Sequence, residues 1–354
     1  MALNGWKEKI YQSYLKWVCR PGRIEKHLGT VLPSPARPAQ GIKTGLIRVA
    51  ALQVELKLFK NPLHYADEMH RRTREAVKEG ARLIAFPEYN NLPLLGLLPG
   101  FEKMEETYRK KANEPKSKEG NKKEKISLAD VFCYMNPAVQ PLVIALFSRL
   151  AAAYNIYIMT GSFALAANGR VINRSYLFGP SGLLIGSQDK VNLTLMETEW
   201  NMKRGSAFSV YETSLGRLAL PVCMDATYYE TFRILEKKGA DIVLLPIANL
   251  EEYNYWLALR GIWPRVQESQ LYGIKSTLVG SIAGLNFTGR AGIFAPLEIT
   301  PRQNGVLAEV ETCNNESMAV ADLDLEALHS LRRSHPWRDN NQALYDRYFP
   351  KIYG

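Results

Sequence analysis

Paired cysteines are missing from this sequence. Its four cysteines, Cys19, Cys133, Cys223 and Cys313, lie far apart with no C-x-x-C spacing. That excludes a zinc knuckle and a disulfide framework and fits a reducing, cytoplasmic compartment. Histidine is scarce too: His27, His64, His70, His329 and His335 form no cluster with cysteines or acids, so no metal is expected. There is no long uninterrupted apolar run. Lys7, Glu8, Lys9, Gln12 and Lys16 break the N-terminus, which lacks the continuous apolar core of a secretory signal. The most apolar stretch, residues 137–159, carries Ser148, Arg149 and Asn155, and predicts a buried helix running into a strand rather than a membrane span. No internal repeat is visible, which excludes solenoids and propellers.

What is present is a globular composition. The 354 residues are 46% hydrophobic and 23% charged, enough for one large domain or two small ones. An excess of 45 Lys and Arg over 35 Asp and Glu gives a formal charge of +10, which can attract nucleic acid, anionic lipid or acidic substrates. No RNA-binding aromatic motif, zinc knuckle or recognition-helix pattern accompanies the charge, so nucleic acid is not expected as a partner.

Three regions differ in character. Residues 1–45 read as a leader: Trp6, Ile10, Tyr14 and Trp17 recur near helical spacing among Lys7, Lys9, Lys16 and Arg20, and a proline-rich stretch follows at 32–38. Such a helix packs on the body or on a neighbouring subunit; weak contact with an anionic membrane surface is the second reading. Residues 46–328 alternate strands and helices. Strands are predicted at 47–54, 82–86, 156–161, 175–178, 183–188, 217–222, 241–246, 276–281 and 291–294, and helices at 65–78, 138–154, 228–238 and 255–272. This is an α/β pattern, with mixed sheets covered by helices. Within it, residues 102–126 form a charged insertion that cannot pack a core and reads as a solvated loop or a flap. Residues 329–354, with Trp337, Tyr345, Tyr348, Phe349 and Tyr353, read as a C-terminal docking arm.

Three reactive side chains follow apolar strands, where α/β folds put catalytic groups. Glu88 comes after Leu83-Ile-Ala-Phe-Pro87 and could act as a general base. Lys190, after Leu183-Leu-Ile-Gly-Ser-Gln-Asp189, could stabilise an oxyanion as a fixed positive charge. Cys223, after Leu218-Ala-Leu-Pro-Val222, could attack a carbonyl or nitrile carbon as a thiolate. Taken singly, each is as readily a loop charge, a solvent-facing lysine or an inert core cysteine.

Together the three resemble the nitrilase, or carbon-nitrogen hydrolase, superfamily, whose catalytic set is Glu, Lys and Cys in that chain order. Phe86-Pro-Glu88, Lys190-Val-Asn-Leu193 and Cys223-Met-Asp225 match the family's motifs in order, spacing and strand context. The resemblance implies an αββα sandwich, a thioester on Cys223, proton transfer by Glu88, and oxyanion support from Lys190 and the backbone N–H of Met224. No cofactor is implied. It also implies a second glutamate shortly after the lysine, for which Glu197 is preferred over Glu199. Asn192 stands where many relatives have histidine. Cys223-Met224-Asp225 is similar to the amidase and carbamoylase branches rather than to the Cys-Trp-Glu of nitrile-cleaving members. Ala226 and Thr227 occupy the places where carbamoylases carry carboxylate-binding arginines. The expected activity is hydrolysis of a small or medium linear amide. An acyltransferase using an amine acceptor and an N-carbamoyl amide hydrolase are the alternatives. Pocket candidates are Met224, Tyr228, Tyr229, Trp200 and Asn249, and a homo-oligomer is expected by resemblance.

Overall fold

The computed structural model describes residues 5–33, 45–101, 103, 105–106, 128–167, 169–282, 284–334 and 341–353. In chain order these form α1 (Gly5–Val18), α2 (Pro21–Val31), β1 (Leu46–Glu55), α3 (Pro62–Lys78), β2 (Leu83–Ala85), α4 (Leu128–Tyr154), β3 (Tyr157–Ala167), β4 (Arg170–Phe178), β5 (Leu184–Asp189), α5 (Leu195–Glu199), β6 (Val210–Thr213) and β7 (Gly216–Ala219). There follow α6 (Tyr229–Lys237), β8 (Ile242–Ile247), α7 (Tyr255–Leu259), α8 (Trp263–Ser269), β9 (Tyr272–Ile282), β10 (Leu285–Phe287), β11 (Gly292–Phe294), β12 (Val306–Glu309), β13 (Ser317–Asp324), α9 (Leu325–Ser334) and α10 (Gln342–Tyr353).

Strand β1 is the spine. It is buried almost throughout, so its sequence Leu46-Ile-Arg-Val-Ala-Ala-Leu-Gln-Val-Glu55 is nearly continuously apolar. One edge pairs in parallel with β2. The other is divided: residues 46–53 pair antiparallel with β13, and residues 53–55 pair in parallel with β9. The strands run β5-β4-β3-β2-β1-β9-β8-β7-β6 in space, with β10, β11, β12 and β13 attached to that path. The two ends come back together, because Tyr211 on β6 donates its hydroxyl to the Ser187 carbonyl on β5 at 2.5 Å. Its ring fills the space over Gly186 that any larger side chain would need.

Side-chain alternation along the strands sorts the interior into three cores. Val49, Ala51, Leu83 and Met159 meet Leu218, Leu244, Ile274 and Leu323 between the two halves of the sheet. Ala50, Leu52, Ile84 and Ile158 turn outward against α2, α3 and α4. Ala219, Val243 and Leu245 turn the other way against α6 and α8. Helix, sheet, sheet and helix therefore stack as the expected αββα sandwich.

Several boundaries differ from expectation for local reasons. The helix expected at 255–272 is two short ones, because Trp263-Pro264 starts a new helix where proline needs no N–H donor, and Gln270 ends it in the left-handed region at φ 47°. The strand expected at 217–222 stops at Ala219, ahead of Pro221. The helix expected at 138–154 begins ten residues earlier, at Leu128, and runs through Pro137 and Pro141. It is long and apolar enough to cross a membrane by composition, yet Leu142, Leu146, Phe147 and Leu150 are buried in the sandwich.

The leader helices pack on the body. Leu15 and Val18 of α1, Ile24 and Leu28 of α2, and Cys19 between them are buried in the same core as α4. Ile10, Tyr14 and Trp17 face outward, at 59%, 50% and 53% exposure, and any membrane-surface contact would rest on them. The arm expected from residue 329 also starts later. Residues 329–334 are the last turns of α9, whose Arg332 donates to Asp241 and to the Ala240 and Gln270 carbonyls at 2.6–2.7 Å. Among the described residues, α10, with Leu344, Tyr345 and Tyr348 exposed, follows it. The proline-rich stretch from residue 34 and nearly all of the charged insertion lie outside the described residues.

Candidate active site

Glu88, Lys190, Cys223 and Asn249 each follow the carboxyl end of a strand, β2, β5, β7 and β8 respectively, and the sandwich brings these ends to one cavity of about 320 Å³. The turn carrying Glu88 is tied down on all sides. Ser162 donates its N–H to the Pro87 carbonyl, Asn90 donates to the Ser162 and Thr160 carbonyls, and the Ser276 hydroxyl donates to the Phe86 carbonyl at 2.6 Å. Gly161, at φ 74°, lets β3 pass this turn: a Cβ there would lie 1.9 Å from the Pro87 carbonyl oxygen. Tyr89 takes the left-handed conformation, φ 54°, directly after the glutamate.

Lys190 is 1% exposed, and its ammonium donates to Glu88 Oε1 and to Glu197 Oε1, both at 2.8 Å. Asn173 on β4 donates to the same two oxygens, at 2.8 and 3.3 Å. The Tyr89 hydroxyl also donates to Glu197 Oε1. Glu197 Oε2 accepts from the Thr194 N–H and hydroxyl at 2.8 and 3.0 Å, while the Thr194 hydroxyl accepts from the Glu197 N–H, the reciprocal capping box that opens α5. Glu199 is exposed on the far side of that helix.

Environment separates the two carboxylates. Burial pushes the Glu88 carboxyl up, Lys190 opposes it, and the neighbouring Glu197 charge adds to it, leaving Glu88 above its ordinary value. Burial acts on Glu197 in the same direction, but Lys190, Tyr89 and the Thr194 N–H outweigh it and hold Glu197 below the usual carboxylate range. Burial disfavours the Lys190 charge, yet the negative groups around it keep the ammonium protonated beyond the ordinary lysine range. Glu197 therefore neutralises Lys190, and of the two carboxyls Glu88 holds a proton more readily.

Cys223 begins a 3-10 turn over Cys223–Thr227 with φ at 44°, a sharp elbow that directs the side chain into the cavity. Its thiol sits 4.0 Å from Asn249 Oδ1 and shares the cavity with Glu88 and Lys190. Burial raises the thiol well above its ordinary value, Glu88 adds to that, and Lys190 opposes it in part, so the resting side chain is the thiol. Asp225 braces the elbow. Its carboxylate accepts from the Val222 N–H at 2.9 Å, and from the Asn192 N–H and side-chain amide at 2.6 and 3.0 Å. The same residue thus holds the cysteine turn to the segment just after Lys190. Asn192, which stands where many relatives have histidine, serves as a donor in that brace.

Among the other pocket candidates, Met224 and Asn249 line the cavity. Trp200 instead lines a smaller apolar pocket next door, with Tyr89 and Met196 shared between the two. Tyr228 and Tyr229, expected at the pocket, stand 42% and 41% exposed at the start of α6 and are not among the lining residues, because the 3-10 turn after Cys223 carries the chain away. Sequence reasoning did not single out Tyr89, Asn173 or Asp225 as site residues. For Glu197 a local signal exists: Thr194-Leu-Met-Glu197 is a capping-box pattern, which buries the glutamate three residues after the cap and leaves Glu199 outside. Among the described residues no group of three or more His, Cys, Asp or Glu side chains is placed to hold a metal.

A family model for carbon-nitrogen hydrolases matches residues 48–333. The chain belongs to the carbon-nitrogen hydrolase family. It is 30% identical over 210 residues to the probable hydrolase YhcX of Bacillus subtilis (strain 168), an alignment covering 58% of this chain and 40% of that protein, so the chain spans well under half of that relative. The human omega-amidase NIT2 is 24% identical over 314 residues, 84% of this chain and 96% of that one. In structure, a variant of the amidase of Nesterenkonia sp. AN1, carrying a covalently added acetamide moiety at its active-site cysteine, covers 88% of this chain and 100% of its own with a TM-score of 0.58 at 18% identity. This carbon-nitrogen hydrolase thus shares the fold of amidases at low identity.

Proposed function

We propose that this carbon-nitrogen hydrolase cleaves a small or medium linear amide through a thioester on Cys223. The observation that carries the reading is that the Cys223 thiol shares a buried cavity with Glu88, a carboxyl whose proton affinity is raised, beside a lysine already neutralised by Glu197. An amide carbonyl is a poor electrophile, so attack needs a strong nucleophile, a donor for the developing oxyanion and an acid for the departing amine. Glu88 takes the thiol proton as sulfur bonds to the carbonyl carbon, and returns it to the nitrogen as the C–N bond breaks. Two of the three N–H bonds of Lys190 are engaged by Glu88 and Glu197, which leaves the third for the oxyanion, together with the Met224 N–H. Water then attacks the thioester and gives its proton to Glu88, and the thiol is regenerated with release of the acid. Asn173 and Tyr89 act by positioning the carboxylates. The adduct at the cysteine of the Nesterenkonia amidase supports a cysteine nucleophile here.

The test is intact-protein mass spectrometry after brief incubation with a pool of amides, carbamoyl compounds and nitriles, on wild type and on Glu88→Gln, which slows thioester breakdown. The expected result is an acyl adduct mapped to Cys223, absent in Cys223→Ala. Ammonia or amine release by Cys223→Ala at the wild-type rate would falsify the assignment. Adding a competing amine identifies the acyltransferase alternative, since its product would be the new amide rather than the acid.

A further inference from the structure

Helices α1 and α2 lie outside residues 48–333, the part of the chain that the family model matches, so the surface they present is an addition particular to this chain. Their inner side is fixed to the body. Leu15, Val18, Ile24 and Leu28 are buried, Tyr11 donates its hydroxyl to the Leu97 carbonyl, and Gln12 donates its amide to the Tyr134 carbonyl at 3.4 Å. With those positions turned inward, Ile10, Tyr14 and Trp17, at i, i+4 and i+7, form an exposed apolar stripe along one flank of α1. The Tyr14 and Trp17 rings lie 6.3 Å apart, so the stripe is continuous. The charge around it has one sign. Residues 9–33 carry Lys9, Lys16, Arg20, Arg23 and Lys26 against a single acid, Glu25. Lys9 and Lys16, two helical turns apart on one exposed face, run beside the stripe, and the Arg23 guanidinium lies 4.5 Å from the centre of the Trp17 ring at its end.

The charge decides what fits this face. A second copy of the chain would cover the apolar stripe, but a two-fold contact sets a patch against itself and would bring the same five cations together. Nucleic acid would satisfy the cations, yet it offers nothing to an aliphatic side chain such as Ile10, and a convex helix flank is not the groove that single strands follow. An anionic bilayer surface satisfies both sets of side chains. Tyrosine and tryptophan rings sit at the level of lipid headgroups, isoleucine reaches the acyl boundary, and lysine and arginine are attracted by the surface charge. We propose that α1 and α2 dock this protein on anionic membrane surfaces, with Ile10, Tyr14 and Trp17 entering the interface and Lys9, Lys16 and Arg20 lying over the headgroups. The helices are already folded against the body, so docking carries no ordering cost of the kind a free amphipathic peptide has. With three apolar side chains to insert, the contact is peripheral and reversible. It is independent of the chemistry at Cys223.

The experiment is co-sedimentation of the full chain with vesicles of phosphatidylcholine alone and of phosphatidylcholine mixed with phosphatidylglycerol. Wild type is compared with two double variants, Ile10→Ser/Trp17→Ser and Lys9→Glu/Lys16→Glu. All four side chains are exposed, and melting temperature checks that each variant folds. Wild type should bind the anionic vesicles about 10-fold or more tightly than the neutral ones, and raising the salt to about 0.5 M should remove most of that preference. Reversing the two lysine charges should weaken binding to anionic vesicles by about 30-fold or more, and removing the two apolar side chains by about 10-fold. Equal binding to both kinds of vesicle, binding to neither, or wild-type binding by either variant overturns the inference. So do two further outcomes in a wild type that ignores vesicles. A sedimentation coefficient that drops in Ile10→Ser/Trp17→Ser would give the face to a second copy, and duplex DNA binding that is lost in Lys9→Glu/Lys16→Glu would give it to nucleic acid.

Discussion

At the scale of residues, the site depends on small residues as much as on the charged ones. Gly161 permits β3 to cross the Pro87-Glu88 turn, both because it has no Cβ and because its φ of 74° suits glycine. In Gly161→Ala the new methyl meets the Pro87 carbonyl, and the turn must move. The expected stability loss is at least about 1–2 kcal/mol from the left-handed backbone alone. A displacement of Glu88 by about 1 Å should lower kcat by about 100-fold. Steady-state kinetics beside thermal melting checks this: a kcat near wild type with only a lowered melting temperature would mean that the turn relaxes without carrying Glu88 with it.

At the scale of elements, α1 and α2 are part of the body. Deleting residues 1–44 removes five buried apolar side chains, Leu15, Val18, Cys19, Ile24 and Leu28, and exposes the surface of α4 that they cover. Each such side chain is worth about 1.5–3 kcal/mol on burial, partly offset by the cost of ordering two helices. The truncated chain should therefore melt several degrees lower and bind a hydrophobic dye more strongly; an identical melting curve would show that the helices are dispensable ornaments. The sequence conveyed that a helix was there, from the spacing of Trp6, Ile10, Tyr14 and Trp17, but those residues mark the outer face where the structure describes it. The inner face is made by Leu15 and Val18 together with α2, and which apolar face of a helix packs inward depends on neighbours far away in the chain.

The same limit governs what could be read of the site. Glu88, Lys190 and Cys223 were legible because each directly follows an apolar strand, a local feature. Glu197 was legible in part, and its capping box was a signal within four residues. Asn173 was not, because it stands in mid-strand, and what distinguishes it is the company it keeps across the sandwich, two carboxylates. Tyr228 and Tyr229 illustrate the converse. They are near the nucleophile in sequence but are carried off by a turn whose geometry is set by Asp225.

At the scale of the whole molecule, the layers and the alternation of helices and strands follow from patterning, while the joining of the two half-sheets does not. That joining is made by one strand. Along β1, residues 46–53 hold β13 and residues 53–55 hold β9, with β2 on the opposite edge at residues 49–51. Glu88 hangs from one side of this seam, and Cys223 and Asn249 from the other. Because both halves hydrogen-bond to the same ten residues, neither can melt while the other stays intact. The amides of β1, β2 and β8 should accordingly exchange with solvent deuterium through a single concerted opening, with one shared free energy. Acid and nucleophile would then be lost together, so that partly opened molecules carrying a reactive cysteine without its proton carrier do not accumulate.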